Sequence, residues 1–166
     1  MDEYLVILAQ GGSREAFDQL VRRWTPRLLR YCARTVGARE LARDIVQESW
    51  VGAIRGLRKL TDPAMFSSWI YRIAHRKCVD AIRSNQRRGR LAVRAYEEPG
   101  VENIPDVTDL ESAIARLSEE QRHVIQLFYG EELSVEQTAA VLGVPGGTVK
   151  SRLYHARESL KRQLGE

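Results

Sequence analysis

Apolar residues recur every three to four positions along most of the chain, and no alternating run longer than a few residues interrupts them. The pattern predicts an all-α protein. A short first helix over residues 3–10 is stopped by Gly11-Gly12, and Ser13 caps a second in which Phe17, Leu20, Val21, Trp24 and Leu28 share one side. Pro26 inside that run predicts a kink. A third helix covers residues 39–58. A fourth opens at Asp62-Pro63, where the carboxylate caps and the proline presets the first turn, and it runs to about residue 85.

Residues 91–107 carry no sustained period and contain Glu97-Glu98-Pro99-Gly100 and Ile104-Pro105-Asp106, so they read as a flexible acidic linker. Two small helical domains follow, residues 1–90 and 108–166. Three helix starts in the second match the capping box: Thr108-Asp109-Leu110-Glu111, Ser118-Glu119-Glu120-Gln121 and Ser134-Val135-Glu136-Gln137. The last two helices, residues 135–142 and 147–164, are separated by Gly143-Val144-Pro145 in the form of a helix-turn-helix. Ala139 is small where they cross, Gly143 can take the left-handed conformation, and Val149 supplies the apolar contact.

Helical spacing then sorts the faces. In the third helix Val46, Trp50, Ala53, Ile54 and Leu57 form the apolar side, and Asp44, Gln47, Glu48, Val51 and Arg55 lie opposite, as a solvated face or a docking surface for a protein. The fourth packs Phe66, Ile70, Ile73 and Ala74 inward, whereas Arg72, Arg76, Arg83, Arg87 and Arg90 form a basic stripe. Trp69 at its edge is either core or a platform for an unstacked base. In the last helix Val149, Leu153, Ala156, Leu160 and Leu164 face inward. Thr148, Lys150, Ser151, Arg152, Tyr154, His155, Arg157 and Arg162 point outward, a row of hydrogen-bond donors suited to base edges and phosphates in a major groove.

Charge sharpens this picture. The 166 residues hold 26 Lys and Arg against 22 Asp and Glu. Residues 1–90 carry 18 of the cations against 9 of the anions, while residues 91–111 carry 1 against 6. A basic first half points to a polyanion partner. No apolar run approaches the roughly 20 residues of a membrane span, and the acidic opening Met1-Asp2-Glu3-Tyr4 is unlike a signal peptide, so a cytoplasmic protein without membrane insertion is expected. Cys32 and Cys78 are too few for a disulfide framework and read as buried thiols. His75, His123 and His155 are scattered, and His75 with Cys78 lacks two further ligands. No catalytic residue, metal site or cofactor is therefore expected, and no enzyme.

Three segments in order carry a family resemblance: Leu41-Ala42-Arg43-Asp44-Ile45-Val46-Gln47-Glu48-Ser49-Trp50, then Phe66-Ser67-Ser68-Trp69-Ile70-Tyr71-Arg72-Ile73-Ala74, then Leu142-Gly143-Val144-Pro145-Gly146-Gly147-Thr148-Val149-Lys150-Ser151-Arg152-Leu153 with Ala156-Arg157. Together they resemble the extracytoplasmic-function group of bacterial RNA polymerase sigma factors. The resemblance implies sigma region two over 1–90, a linker threading the polymerase, and sigma region four over 108–166. It implies a transcription initiation factor whose partners are core RNA polymerase, through its β′ and β subunits, promoter DNA and a cognate anti-sigma factor.

Asp44, Gln47, Glu48 and Val51 would then match the surface that docks on core. The turn from Leu60 and Thr61 to Phe66 would match the loop that captures a flipped base of the minus-ten element, with Trp69, Arg72, Arg76, Arg83 and Arg87 along the opened strand. Thr148, Lys150, Ser151, Arg152, Tyr154, His155 and Arg157 would match the reader of the minus-thirty-five element. Arg76 stands where the group commonly has Asn, Leu60 where a polar or aromatic residue is common, and Gly146 beside Gly147 loosens the start of the last helix. Two other readings stay open: a stand-alone helix-turn-helix regulator, and a helical enzyme or scaffold with a basic surface.

Overall fold

The computed structural model describes residues 1–89 and 105–165, the side chains of 105–108 apart. Arg90 and the linker residues 91–104 lie outside the described residues. The described chain is helical and forms two compact units, one on each side of that stretch. Among the described residues no helix is long and apolar enough to cross a membrane.

In the first unit α1 (Asp2–Gln10), α2 (Arg14–Val36), α3 (Arg39–Gly56) and α4 (Phe66–Arg87) pack together, with α2 against each of the other three. Ser13 caps α2, its hydroxyl accepting from the Ala16 N–H at 3.2 Å. α2 runs unbroken through Pro26 to Val36, where Gly37 turns the chain at φ +71°. The core is aromatic: the Trp24 ring stands edge-on to Phe66 at 5.7 Å and to Tyr71 at 5.8 Å, and Tyr31 stands edge-on to Tyr71 at 5.5 Å. The Tyr31 hydroxyl is 2.7 Å from His75 Nδ1, so its polar end is satisfied in the interior. Burying each such ring contributes roughly 1.5–3 kcal/mol. Cys32 and Cys78 are fully buried free thiols, and the hydrogen bond from Cys32, followed by burial, pushes the Cys78 thiol up.

Between α3 and α4 the chain makes a short 3-10 turn (Leu57–Lys59), an extended step at Leu60, and a second 3-10 turn (Pro63–Met65). Asp62 does cap here, accepting from the Ala64 N–H at 3.0 Å, but what it caps is this 3-10 turn, and α4 proper begins at Phe66.

In the second unit α5 (Pro105–Ala115), α6 (Glu119–Ile125), a π-helical turn (Gln126–Gly130), α7 (Val135–Leu142) and α8 (Gly146–Leu164) close over Leu117, Val124, Ile125, Val149, Leu153 and Ala156. Two capping boxes form as the sequence predicts. Ser118 and Gln121 exchange hydrogen bonds at 3.2 and 3.3 Å, and Ser134 and Gln137 at 3.0 and 2.9 Å. α5 starts at Pro105, a residue whose fixed φ suits a helix start, so Thr108 lies inside the helix three residues past its first turn's opening.

Two apolar positions assigned to the interior are outside. Ile54 is 63% exposed because α3 leans on α2 and α4 through Ala42, Ile45, Val46, Ser49, Trp50 and Ala53, which leaves Ile54 on the outer edge. Leu164 is 42% exposed, at the end of α8 where Gly165 turns the chain at φ +79°.

Candidate functional site

The candidate residues singled out from the sequence fall on three surfaces, two on the first unit and one on the second. The first is the outer face of α3. Asp44, Gln47, Glu48, Val51 and Arg55 are all exposed, as the spacing predicts, and Ile54 joins them. Val51 and Ile54, one turn apart, make an apolar ridge, with the carboxylates of Asp44 and Glu48 on the preceding turns of α3. That combination fits a protein partner better than solvent: the ridge gains by being covered, and the charges fix orientation. Glu48 is not isolated, since its Oε2 lies 3.6 Å from Lys77 Nζ on α4. Sequence reasoning missed Ile54 by counting it as core, although its distance from Val51 along the helix offered the signal.

The second surface is the loop from Leu57 to Met65 with the adjoining face of α4. Thr61 is exposed and Leu60 half-buried, so both are within reach of a ligand. Phe66 is not: at 1% exposure it is packed edge-on against Trp24, and it supports the loop from below instead of touching anything outside. Trp69 is half-buried. Its ring lies over Gly56, where a methyl would sit 3.1 Å from Cζ2, and 5.9 Å from Phe66. Arg72, Arg76, Arg83 and Arg87 are all exposed along α4 with Phe66, Ile70, Tyr71 and Ala74 buried behind them. The result is a row of guanidinium groups that leads away from a small loop, with an aromatic ring where the two meet.

The third surface is α8. Val149, Leu153 and Ala156 are buried, and Lys150, Ser151, Tyr154, His155, Arg157 and Arg162 are exposed. Gly143 takes φ +67°, its N–H bonding the Ala139 carbonyl at 2.8 Å, and this turn sets α8 across α7. Thr148 is half-buried in the first turn. Arg152 is partly withdrawn: its Nη2 lies 3.1 Å from Glu120 Oε1 on α6, and its side chain is 23% exposed. Arg157 reaches back to the Tyr129 hydroxyl, which accepts at 3.4 Å; Tyr129, half exposed on the π-helical turn, was not singled out from the sequence. Behind this surface burial, and then the nearby Arg122 and Arg152 charges, lower His123 from 6.5 to about 4, so it is neutral at physiological pH.

The comparisons with known proteins match both units. The sigma-70 region 2 family model matches residues 20–88, and the sigma-70 region 4 model matches residues 108–160. The chain is 35% identical over 174 aligned residues to the ECF RNA polymerase sigma factor SigM of Mycobacterium tuberculosis, covering 99% of this chain and 85% of that protein. It is 30% identical to the RNA polymerase sigma-H factor of Pseudomonas aeruginosa, covering 98% and 93%. The solved structure of CnrH in complex with the cytosolic domain of CnrY matches 99% of this chain and 97% of that one, with a TM-score of 0.74 at 28% identity. With both units matched in order and relatives aligned over nearly the whole length, the chain belongs to the extracytoplasmic-function group of the sigma-70 family, the initiation factors that direct RNA polymerase to promoters.

Proposed function

We propose that the three surfaces divide the work of initiation as follows. The α3 face, with Asp44, Gln47, Glu48, Val51 and Ile54, docks on core polymerase. The loop at Leu60 and Thr61 takes a flipped base of the minus-ten element, Trp69 stacks beside it, and Arg72, Arg76, Arg83 and Arg87 follow the strand's phosphates. The α8 face, with Thr148, Lys150, Ser151, Tyr154, His155 and Arg157, reads the minus-thirty-five element, and Arg152 contributes charge at its edge. The domains are residues 1–90 and 108–166, in the cytoplasm where the polymerase is.

The reaction catalysed is the polymerase's. This chain contributes binding and strand separation, and no covalent step falls to its residues. Unstacking a base costs a few kcal/mol, and a pocket that holds the base offsets that cost. Stacking on an aromatic ring returns roughly 1–3 kcal/mol, and guanidinium groups on phosphates add a salt-dependent term. CnrH has been captured with the cytosolic domain of a second protein, and by the same logic a cognate anti-sigma factor would act on this chain by covering its exposed faces.

The observation that carries the reading is the pairing, on one small unit, of an apolar and acidic ridge on α3 with an arginine row on α4. A stand-alone regulator that binds only duplex DNA has no use for the first. Permanganate footprinting of promoter DNA tests it: core polymerase loaded with this chain should expose unpaired thymines around the minus-ten element, and neither component alone should do so. Melting without core, or none with it, would refute the proposal.

A further inference from the structure

Gln10, the last residue of α1, belongs to none of the three surfaces, yet it holds one of them. Its side-chain Nε2 donates to the Leu57 carbonyl at 2.9 Å and to the Leu60 carbonyl at 2.7 Å, across 47 and 50 residues of sequence. These carbonyls sit where the chain leaves the helix: Leu57 opens the 3-10 turn and Leu60 is already extended, with φ −69° and ψ 108°. Carbonyls at a helix end lack the N–H partners of the next turn, and Leu57 has one only from Leu60, at 3.1 Å. A single carboxamide carries two N–H groups at a fixed angle, so one side chain can hold both acceptors at one separation.

The other end of the loop holds itself. The Asp62 side chain accepts from the Ala64 N–H at 3.0 Å, the Met65 N–H donates to the Asp62 carbonyl at 3.0 Å, and the Ser68 hydroxyl donates to the Met65 carbonyl at 3.1 Å. Leu60 and Thr61 lie between the two anchors. Without Gln10 the first anchor would lose its long-range half, and the freed backbone would regain conformational entropy that binding must then remove.

We infer that Gln10 is a positioning residue for base capture: its amide presets the loop that presents Leu60 and Thr61 to the flipped base. This rests on the proposal that the loop captures a base. Leu57 is buried and Leu60 half-buried, so loss of the amide leaves the Leu57 carbonyl its Leu60 N–H partner and lets the Leu60 carbonyl turn to water, and the fold loses some stability without unfolding.

The test uses holoenzyme reconstituted with the full chain carrying Gln10→Ala or the isosteric Gln10→Glu, which keeps the shape and removes both donors. Open-complex formation is measured on promoters bearing each of the four bases at the captured position and on promoters altered in the minus-thirty-five element. Thr61→Ala serves as the reference. Both Gln10 variants should slow open-complex formation roughly tenfold on the preferred promoter and flatten the preference among the four bases. Preference at the minus-thirty-five element and affinity for core should stay as in the wild type, and the melting temperature of the chain should fall by no more than a few degrees. An unchanged base preference in the Gln10 variants, with Thr61→Ala altering it, overturns the role of Gln10 alone. An equal loss on every promoter together with a lower melting temperature also overturns it, showing a purely structural residue. If Thr61→Ala leaves base preference intact as well, the base-capture reading of the loop falls, and this inference with it.

Discussion

Arg152 of α8 is ion-paired to Glu120 of α6, Nη2 to Oε1 at 3.1 Å, so one cation of the helix proposed to read DNA is already partly neutralised by its own protein. The pair is largely exposed on the Glu120 side and contributes at most about 1 kcal/mol to stability. Its consequence is for binding. Lys150→Ala should lower the slope of log affinity against log salt by about one, as for a phosphate contact, and Arg152→Ala should lower it by less. Glu120→Gln should raise affinity for promoter DNA by freeing the guanidinium. Salt titrations of the holoenzyme on a fixed promoter measure all three, and equal slopes for the two alanine variants would count against the neutralisation.

The α3 ridge gives a second expectation. Ile54 is 63% exposed, so Ile54→Asp leaves the core untouched and should change the melting temperature little. In a buried interface the same change places a charge where an apolar side chain was covered, and affinity for core should fall by ten- to a hundredfold. Asp44→Arg with Glu48→Arg should do the same by charge reversal. Wild-type affinity in a core-polymerase titration would remove α3 from the docking surface.

His123 ties stability to pH. Folded, it resists protonation until about pH 4; unfolded, it takes a proton near its ordinary value of 6.5. The unfolded state therefore binds more protons between these limits, and the contribution is fully present above about pH 7 and is lost as pH falls toward 4, by up to about 3 kcal/mol. Thermal melts from pH 7 to 4.5 should show this decline in wild type and a shallower one in His123→Gln. An imidazole NMR titration centred near 6.5 in the folded protein would contradict the buried neutral state.

Among the described residues Glu132 is the one non-glycine with a positive φ, +56°, where the chain turns from the π-helical segment to bring Leu133 into the core. An L-residue there costs roughly 1–2 kcal/mol, and part of the relief from Glu132→Gly is given back by the freer unfolded chain. A net gain of about 0.5–1 kcal/mol, seen as a melting temperature a few degrees higher, is expected. A lower melting temperature would mean that the Glu132 side chain supports the turn.

The legible features were those encoded locally. The capping boxes at Ser118 and Ser134 place helix starts to the residue because donor and acceptor are three positions apart, and the outer face of α8 follows from spacing alone. Thr108 showed the limit of the same rule, since Pro105 begins the helix first. Ile54 and Leu164 are apolar residues at helical spacing that nothing covers, and spacing cannot say how wide a stripe the neighbouring helices bury. Phe66 lies beside the loop in sequence but beneath it in space. Hidden altogether were the contacts between distant segments: Gln10 with Leu57 and Leu60, Arg152 with Glu120, and Arg157 with Tyr129. Each depends on how distant segments fold together, which spacing along one helix does not report.

Purified core RNA polymerase, incubated with this chain and genomic DNA of the source organism, followed by sequencing of transcript 5′ ends, tests the central claim most directly. Discrete start sites that share two upstream sequence elements at constant spacing, and that vanish when the chain is omitted, are expected. Start sites identical to those of core alone would contradict it.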